Sequence, residues 1–411
     1  RHLTNPPFTI ITPLIGNRMS RPVHVIGVGM TQFTKPGASE DYSVMGAKAI
    51  ADALKDAGID YREVQQAFAG YVYGDSCCGH KVVYSAGLTG IPIFNFNSNC
   101  STGSSALAVA RQAIAYGAIE CALVVGFEQM TAGALKSYFG DRSSPGERHG
   151  ATMARLQGVD MNAPGAAQMF GGAGREHMKK YGTKAETLAK ISVKARKHAA
   201  NNPLALFNTP LSLEEIMAAP MVFEPLTRYQ CCPPTCGAGA AVLCSPEFAA
   251  RHGLGNLVTI KAQAVTTDTE SSFGDSMMKM VGYDMARSAA QQVYQASGVD
   301  PQDIDVVELH DCFTANELIS YESLGLCPEG GAEKLIEDND NTYGGRFVVN
   351  PSGGLLSKGH PLGATGLAQC YELVQQLRGR ADRRQVEGAR LALQHNLGIG
   401  GTCVVTLYER G

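Results

Sequence analysis

Cys100 sits in an unusually small and polar run, Asn97-Ser98-Asn99-Cys100-Ser101-Thr102-Gly103-Ser104-Ser105-Ala106-Leu107, directly before a stretch with helical periodicity. The positive end of a helix favours a thiolate, so this placement predicts a lowered thiol pKa. The unpaired N–H groups of a helix start can also hold a developing oxyanion. A buried structural cysteine is the ordinary alternative. His360 lies in Lys358-Gly359-His360-Pro361-Leu362-Gly363-Ala364-Thr365-Gly366. The glycines allow close backbone approach, and Pro361 pre-organises a first helical turn. A histidine held there can take the proton of a thiol, although one that only caps its own turn would look the same. His310-Asp311-Cys312-Phe313 ends the predicted strand Val306–Leu309, and loops at strand ends are where α/β sites lie. Gly398-Ile399-Gly400-Gly401 follows His395-Asn396-Leu397 with no Lys-Ser/Thr after it, which argues against a nucleotide phosphate loop.

The elements that must position these residues show an internal repeat. Residues 47–64 (AKAIADALKDAGIDYREV) and 287–304 (RSAAQQVYQASGVDPQDI) are amphipathic helices closed by Gly58 and Gly298. Each runs on to an apolar strand, Ala67–Val72 and Val306–Leu309. A second match sets CSTGSSAL (100–107) against HPLGATGL (360–367), which places Cys100 opposite His360. Helices over Ala108–Tyr116 and Ala368–Leu377 follow, then strands Cys121–Gly126 and Leu391–Leu393. One α/β unit is therefore used twice, with both residues expected at helix N-termini near a pseudo-twofold axis. Residues 131–214 have no counterpart in the second half. They hold loops such as Ser143-Ser144-Pro145-Gly146 and two predicted helices, Ala167–Tyr181 and Lys184–Ala200, and they are read as an insertion covering a site. The expected division is a flexible tail (1–20), a first half (21–130), the insertion (131–214), a return to the first half with strand Gly239–Leu243 (215–255), and a second half (256–411).

Composition narrows the function classes. The chain has 411 residues, 44% of them hydrophobic, so a large core is possible. Lys+Arg 35 minus Asp+Glu 38 gives −3, without the basic excess of a nucleic-acid binder. No apolar run approaches the roughly 18 residues of a membrane span. The 12 cysteines are scattered, several in apolar runs, which suits a reducing compartment. The runs Cys77-Cys78-Gly79-His80 and Cys231-Cys232-Pro233-Pro234-Thr235-Cys236 lack paired Cys-x-x-Cys ligand spacing, so no zinc site is expected. No acidic residue precedes Glu40, while Arg1, Arg18, Arg21 and Lys35 do. Arg1 is no initiator, so a trimmed chain is expected, with an organelle-import remnant or a plain tail as the two readings. The last residues, Leu407–Gly411, carry no Ser-Lys-Leu signal.

The Cys100 segment, the Gly-His-Pro-Leu-Gly-Ala-Thr-Gly segment and the Gly-Ile-Gly-Gly segment together resemble the thiolases, over nearly the whole chain from Arg21 to Arg410. His310-Asp311-Cys312-Phe313 stands where conventional thiolases have Asn-Glu-Ala-Phe and is similar to the sterol carrier protein 2/X-type thiolases. Glu176-His177-Met178…Tyr181-Gly182 and His198–Pro203 also look like that subgroup. The resemblance implies an α/β thiolase fold, with duplicated halves layered α-β-α-β-α and an inserted loop domain. It implies 3-ketoacyl-CoA thiolysis, or the reverse Claisen condensation, with acyl-CoA and coenzyme A as substrates. No metal or redox cofactor is implied. Cys100 would be the acylated nucleophile and His360 its activator. His310 would join His360 in a first oxyanion hole, and the Cys100 and Gly400 amides would form a second. The acid/base cysteine of conventional thiolases falls at Gly398 here, so Cys312 is the expected replacement and Cys403 is read as core. Cys236-Gly237-Ala238 departs from the usual Asp-Gly-Ala, which puts a local turn in doubt. Coenzyme A is expected to meet the insertion, where Arg142, Arg148, Arg175, Lys179 and Lys180 lie; these are equally readable as solvated charges. A homodimer in a mitochondrial or peroxisomal setting is implied. A β-ketoacyl synthase-like enzyme and a non-catalytic acyl-CoA or lipid-binding protein are the competing readings. Donor choice and loss of the catalytic set, respectively, would separate them.

Overall fold

The computed structural model describes residues 20–133 and 135–411. The expected tail and its import reading lie almost wholly outside these residues. The first half contributes strands β1 (Val23–Met30), β2 (Gln66–Gly70), β3 (Ile93–Phe96) and β4 (Cys121–Gln129). A short hairpin, β5 (Met221–Phe223) and β6 (Leu226–Thr227), precedes β7 (Cys236–Cys244), where the chain rejoins the first half's sheet. The second half holds β8 (Val258–Thr267), β9 (Val306–Glu308), β10 (Val348–Val349), β11 (Leu391–Gly398) and β12 (Thr402–Arg410). Strands β4 and β7 are buried almost throughout, as expected of strands covered on both faces.

The main sheet has ten strands in the order β10-β9-β11-β12-β8-β1-β7-β4-β2-β3. Outward from the β1–β8 junction, each half repeats the same pairing. Two antiparallel partners come first (β1-β7-β4 and β8-β12-β11), then two parallel ones (β4-β2-β3 and β11-β9-β10). The helix Thr365–Leu377 packs against both β4 and β9. Those strands stand six places apart in the order, roughly 29 Å in a flat sheet at about 4.8 Å per strand. A helix about 10 Å across reaches both only if the two half-sheets face each other. Between them lie Thr102–Ala115 and Thr365–Leu377, whose Leu107, Ala110, Ile114, Leu367, Leu373 and Leu377 have no exposed surface. Separate clusters cover the outer faces. This is the α-β-α-β-α layering that the thiolase resemblance implied.

The local signals repeat as well. Gly58 (φ 68°) and Gly298 (φ 69°) close helices Tyr42–Ala57 and Tyr283–Ser297 in the left-handed conformation. The carboxylates of Asp60 and Asp300 then accept from the N–H of Arg62 and Gln302, starting matching short turns. The register around the catalytic segments differs from the expected one. Thr102-Gly103 and Thr365-Gly366 start the two central helices, so Cys100 corresponds to Gly363 rather than to His360. Residues 361–364 form a separate turn, closed by the Ala364 N–H on Pro361 O. Pro361 therefore starts that turn and not the helix.

The segment between β4 and β5 holds three main helices, Glu147–Gln157, Gly165–Tyr181 and Ala185–Ala199, the first of which sequence periodicity missed. The last two pack on Thr314–Ser323, the helix that follows Cys312. His149 reaches Asp268 at 3.0 Å, which ties the first helix to the loop beside Gly401.

Candidate active site

Cys100 lies two residues before helix Thr102–Ala115, and His360 lies five before Thr365–Leu377. The sheet halves bring them together with His310, at the end of β9. The Cys100 sulfur and one nitrogen of each histidine lie within 4.8 Å of one another. The imidazole rings are 5.0 Å apart, edge to face, and both are buried. Among the described residues, neither cysteine run gathers a comparable ligand set.

Hydrogen bonds assign the protons. The Thr365 hydroxyl donates to Pro361 O at 3.1 Å, so its oxygen accepts from His360 Nδ1–H at 2.6 Å. His360 Nε2 is left as a buried lone pair without a partner. Thr235 Oγ1 accepts the His360 backbone N–H at 3.0 Å and fixes the turn. Burial, with Lys358 beside it, pushes the His360 pKa down to about 3. Burial likewise holds His310 well below the usual range, helped by His360 and His395.

The expected low thiol pKa is overturned. Cys100 retains some exposure, but the dense protein around its sulfur pushes the pKa up to about 12, and the Glu128 carboxylate adds to this. The resting pair is a neutral thiol beside a neutral imidazole. The Cys100 residue stands outside the helix proper, so the helix start does not outweigh burial.

Cys312 is buried, and Cys232 lies directly across from it, with the Cys232 N–H on Cys312 O at 2.8 Å. Burial and the nearby Cys232 and Cys100 sulfurs push the Cys312 pKa well up, so it is held as a thiol. A β-carbon on Gly398 would overlap the carbonyl oxygen of Ser98 and crowd the Cys100 amide. No side chain fits there on this backbone. Gly400 has φ 105°, and a β-carbon there would press against the Asn99 side chain, whose amide donates to Ile399 O at 2.6 Å. The Cys100 and Gly400 amides have no acceptor among the described residues. Cys403 is fully buried in β12.

Two family descriptions match the chain, "Thiolase, N-terminal domain" over residues 23–247 and "Thiolase C-terminal domain-like" over residues 264–408. The chain belongs to the thiolase family. It is 56% identical over 394 residues to "Sterol carrier protein 2" of Oryctolagus cuniculus, covering 95% of this chain and 72% of that one. Two solved structures share the fold. An "Ltp2-ChsH2(DUF35) aldolase" matches with TM-score 0.80 at 24% identity, covering 96% of this chain and 99% of the other. Human mitochondrial 3-ketoacyl-CoA thiolase matches with TM-score 0.72 at 19% identity, covering 96% and 100%.

In this thiolase-family chain, sequence reasoning missed several supporting residues. Glu128 ends the apolar strand β4 and accepts from Val72, Tyr73 and Gly363 N–H at 2.8–3.0 Å. Asn396 bridges Cys100 and His310 from β11. The signal for Glu128 was a carboxylate near the end of a largely apolar strand, and for Asn396 the buried polar run Gln394-His395-Asn396 within β11. Cys232 was weighed only as a zinc ligand. Cys236 begins β7, with its thiol on Met130 O at 3.4 Å, so it sits in strand and not in a turn. Several of the candidate coenzyme A contacts already have partners. Arg142 pairs with Asp141 and Lys180 with Glu329, while Arg148 and Arg175 stack on Phe273 and Phe223.

Proposed function

We propose that this thiolase-family protein is a 3-ketoacyl-CoA thiolase, an acyltransferase that cleaves a carbon–carbon bond with coenzyme A or runs the reverse condensation. The observation that carries this reading is the Cys100–His310–His360 cluster with its complementary histidine protons. His360 Nε2, the bare lone pair, takes the thiol proton as the Cys100 sulfur attacks the keto carbon. The Cys100 and Gly400 N–H groups hold the tetrahedral oxyanion. Its collapse breaks the Cα–Cβ bond and leaves an acyl group on Cys100. The departing acetyl-CoA enolate oxygen meets His310 Nε2–H and the newly gained His360 Nε2–H. Cys312, a thiol by virtue of burial, gives its proton to the enolate carbon. It regains one from the thiol of coenzyme A, which then takes the acyl group from Cys100 as His360 returns its proton to that sulfur.

No redox step and no metal enters this sequence. Retention of Cys100, His310, Cys312 and His360 together favours catalysis over a purely binding role. Among the described residues β3 pairs with β2 alone, and Phe94 on it and Tyr84 and Leu88 just before it are exposed, which supports the homodimer reading. The basic N-terminal residues support an organellar setting. Among the described residues no helix is long and apolar enough to cross a membrane. A thiolysis assay across short, long and 2-methyl 3-ketoacyl-CoAs tests the function. Cleavage of at least one class, lost in Cys100→Ala, is the expected result; no cleavage of any class, with malonyl thioester decarboxylated instead, would move the protein to the condensing synthases.

A further inference from the structure

Asn396 is fully buried in β11 behind the cluster. Its amide nitrogen lies 3.0 Å from Cys100 O and 3.1 Å from His310 Nδ1. Its amide oxygen accepts from the Ser104 hydroxyl at 2.7 Å. Gln394 donates to that same hydroxyl oxygen at 3.1 Å, leaving the Ser104 proton free for Asn396. A carbonyl oxygen can only accept, so the Asn396 atom facing Cys100 must be the NH2 group. Its second N–H then points at His310 Nδ1. In a neutral imidazole, an accepting Nδ1 places the proton on Nε2.

We propose that Asn396 is a positioning residue that imposes the Nε2–H form on His310, and that by doing so it keeps the Cys100–His310–His360 cluster from capturing a divalent metal. One sulfur and two imidazole nitrogens within 4.8 Å of one another are the donor set of a zinc site. His360 offers a bare nitrogen to such an ion. His310 does not, because a ligating nitrogen needs a lone pair and its Nε2 carries a proton. Moving that proton to Nδ1 would set two N–H donors against each other, since Asn396 cannot turn without facing its oxygen to the Cys100 carbonyl. Metal-ligating histidines pass their second N–H to an acceptor. Asn396 presents the reverse polarity. The same proton is the one donated to the substrate oxygen, so the catalytic part of this inference rests on the proposed thiolase reading; the proton position and the metal exclusion do not.

The test has two arms. Two-bond 15N–1H correlation of histidine-labelled wild-type protein, with signals assigned by His310→Gln and His360→Gln, should show His310 as Nε2–H and His360 as Nδ1–H. An Nδ1–H form of His310 overturns the proposal. Cobalt(II) titration then compares wild type with Asn396→Asp, whose carboxylate accepts an Nδ1–H. The folded Asp variant should develop a sulfur-to-cobalt band that is absent from Asn396→Asp/Cys100→Ser, while wild type shows none at the same cobalt concentration. Equal bands in wild type and variant overturn the exclusion. If Asn396→Asp does not fold, Asn396→Ala, which removes the donor without adding charge, should bind cobalt more tightly than wild type, and equal affinity overturns it. Thiolysis is read separately: the loss of an oxyanion donor in Asn396→Asp should cost roughly 10²–10³ in kcat with KM little changed. Turnover in wild type with His310 in the Nδ1–H form sinks only this inference. Absence of turnover with the Nε2–H form intact sinks only the thiolase reading.

Discussion

The protons on Cys100, His310 and His360 decide the chemistry at the residue scale. Cys100, at about 12, and His360, at about 3, are both neutral across the physiological range, so the attacking thiolate forms only as the proton moves to Nε2. The alkylation of Cys100 in the free protein by iodoacetamide should therefore accelerate by about tenfold per pH unit from about pH 7 to about pH 9. Acyl-CoA should protect it. A rate that is already flat below pH 7 would mean a preformed thiolate–imidazolium pair. Gly398 gives a second test. Because a β-carbon there overlaps the Ser98 carbonyl, Gly398→Cys should not restore cleavage to Cys312→Ala, even though it recreates the residue of conventional thiolases. Thiolysis assays of the double variant check this, and recovery to within tenfold of wild type would show that the loop accommodates a side chain. The sequence displayed Cys100, His310, Cys312 and His360 by type and setting. The thiol pKa was misjudged because burial is a tertiary property, invisible in the local helix signal.

Strand ends and turns carry the site at the scale of elements. Glu128 ends β4 and draws in the backbone after β2 (Val72, Tyr73) and the turn before the second central helix (Gly363). Glu128→Ala would leave the buried Gly363 N–H and the part-buried Val72 and Tyr73 N–H groups without their acceptor; at about 1–3 kcal/mol for a fully buried group, urea unfolding should show a loss of at least about 1 kcal/mol. Glu128→Gln keeps an acceptor and should lose less. Burial, opposed by those three N–H groups, raises the Glu128 pKa from 4.5 to about 7. Its contribution to stability is therefore fully present below pH 4.5 and is lost as pH rises through about 7. Glu128→Gln should flatten that part of the stability–pH curve, and an unchanged slope would place the buried charge elsewhere. Helix positions and their glycine stops were legible from periodicity, as at Gly58 and Gly298. The slip between the two copies was not, because Pro361-Leu362-Gly363-Ala364 imitates a helix start while forming a turn of its own.

The whole molecule is two facing half-sheets with a pair of helices between them, and the proposed catalytic residues come from both halves. Cys100 belongs to the first, while His310, Cys312 and His360 belong to the second, so the site exists only when the duplication closes. The duplication itself was readable from repeated motifs. The helix Glu147–Gln157 escaped notice because its sequence, ERHGATMARLQ, is polar on average and buries only His149, Thr152 and Met153. The insertion packs on the helix after Cys312 and reaches the loop beside Gly401, so the proposed thiolase reading expects it to cover coenzyme A. Saturating coenzyme A should slow backbone hydrogen exchange within residues 131–214, and unchanged exchange across that span would remove the assignment.

Deuterium exchange into the methyl group of acetyl-CoA bears most directly on the account, because it isolates proton transfer at carbon from the acylation step. In deuterated water the wild-type protein should exchange those protons. Cys312→Ala should fold and still become acetylated at Cys100, yet lose the exchange, with carbon–carbon cleavage falling roughly 10²–10⁴-fold as for a missing general acid. Cys403→Ala, a change in the core of β12, should exchange nearly as wild type does. Exchange that survives in Cys312→Ala and vanishes in Cys403→Ala would contradict the account and return the acid/base role to the C-terminal segment.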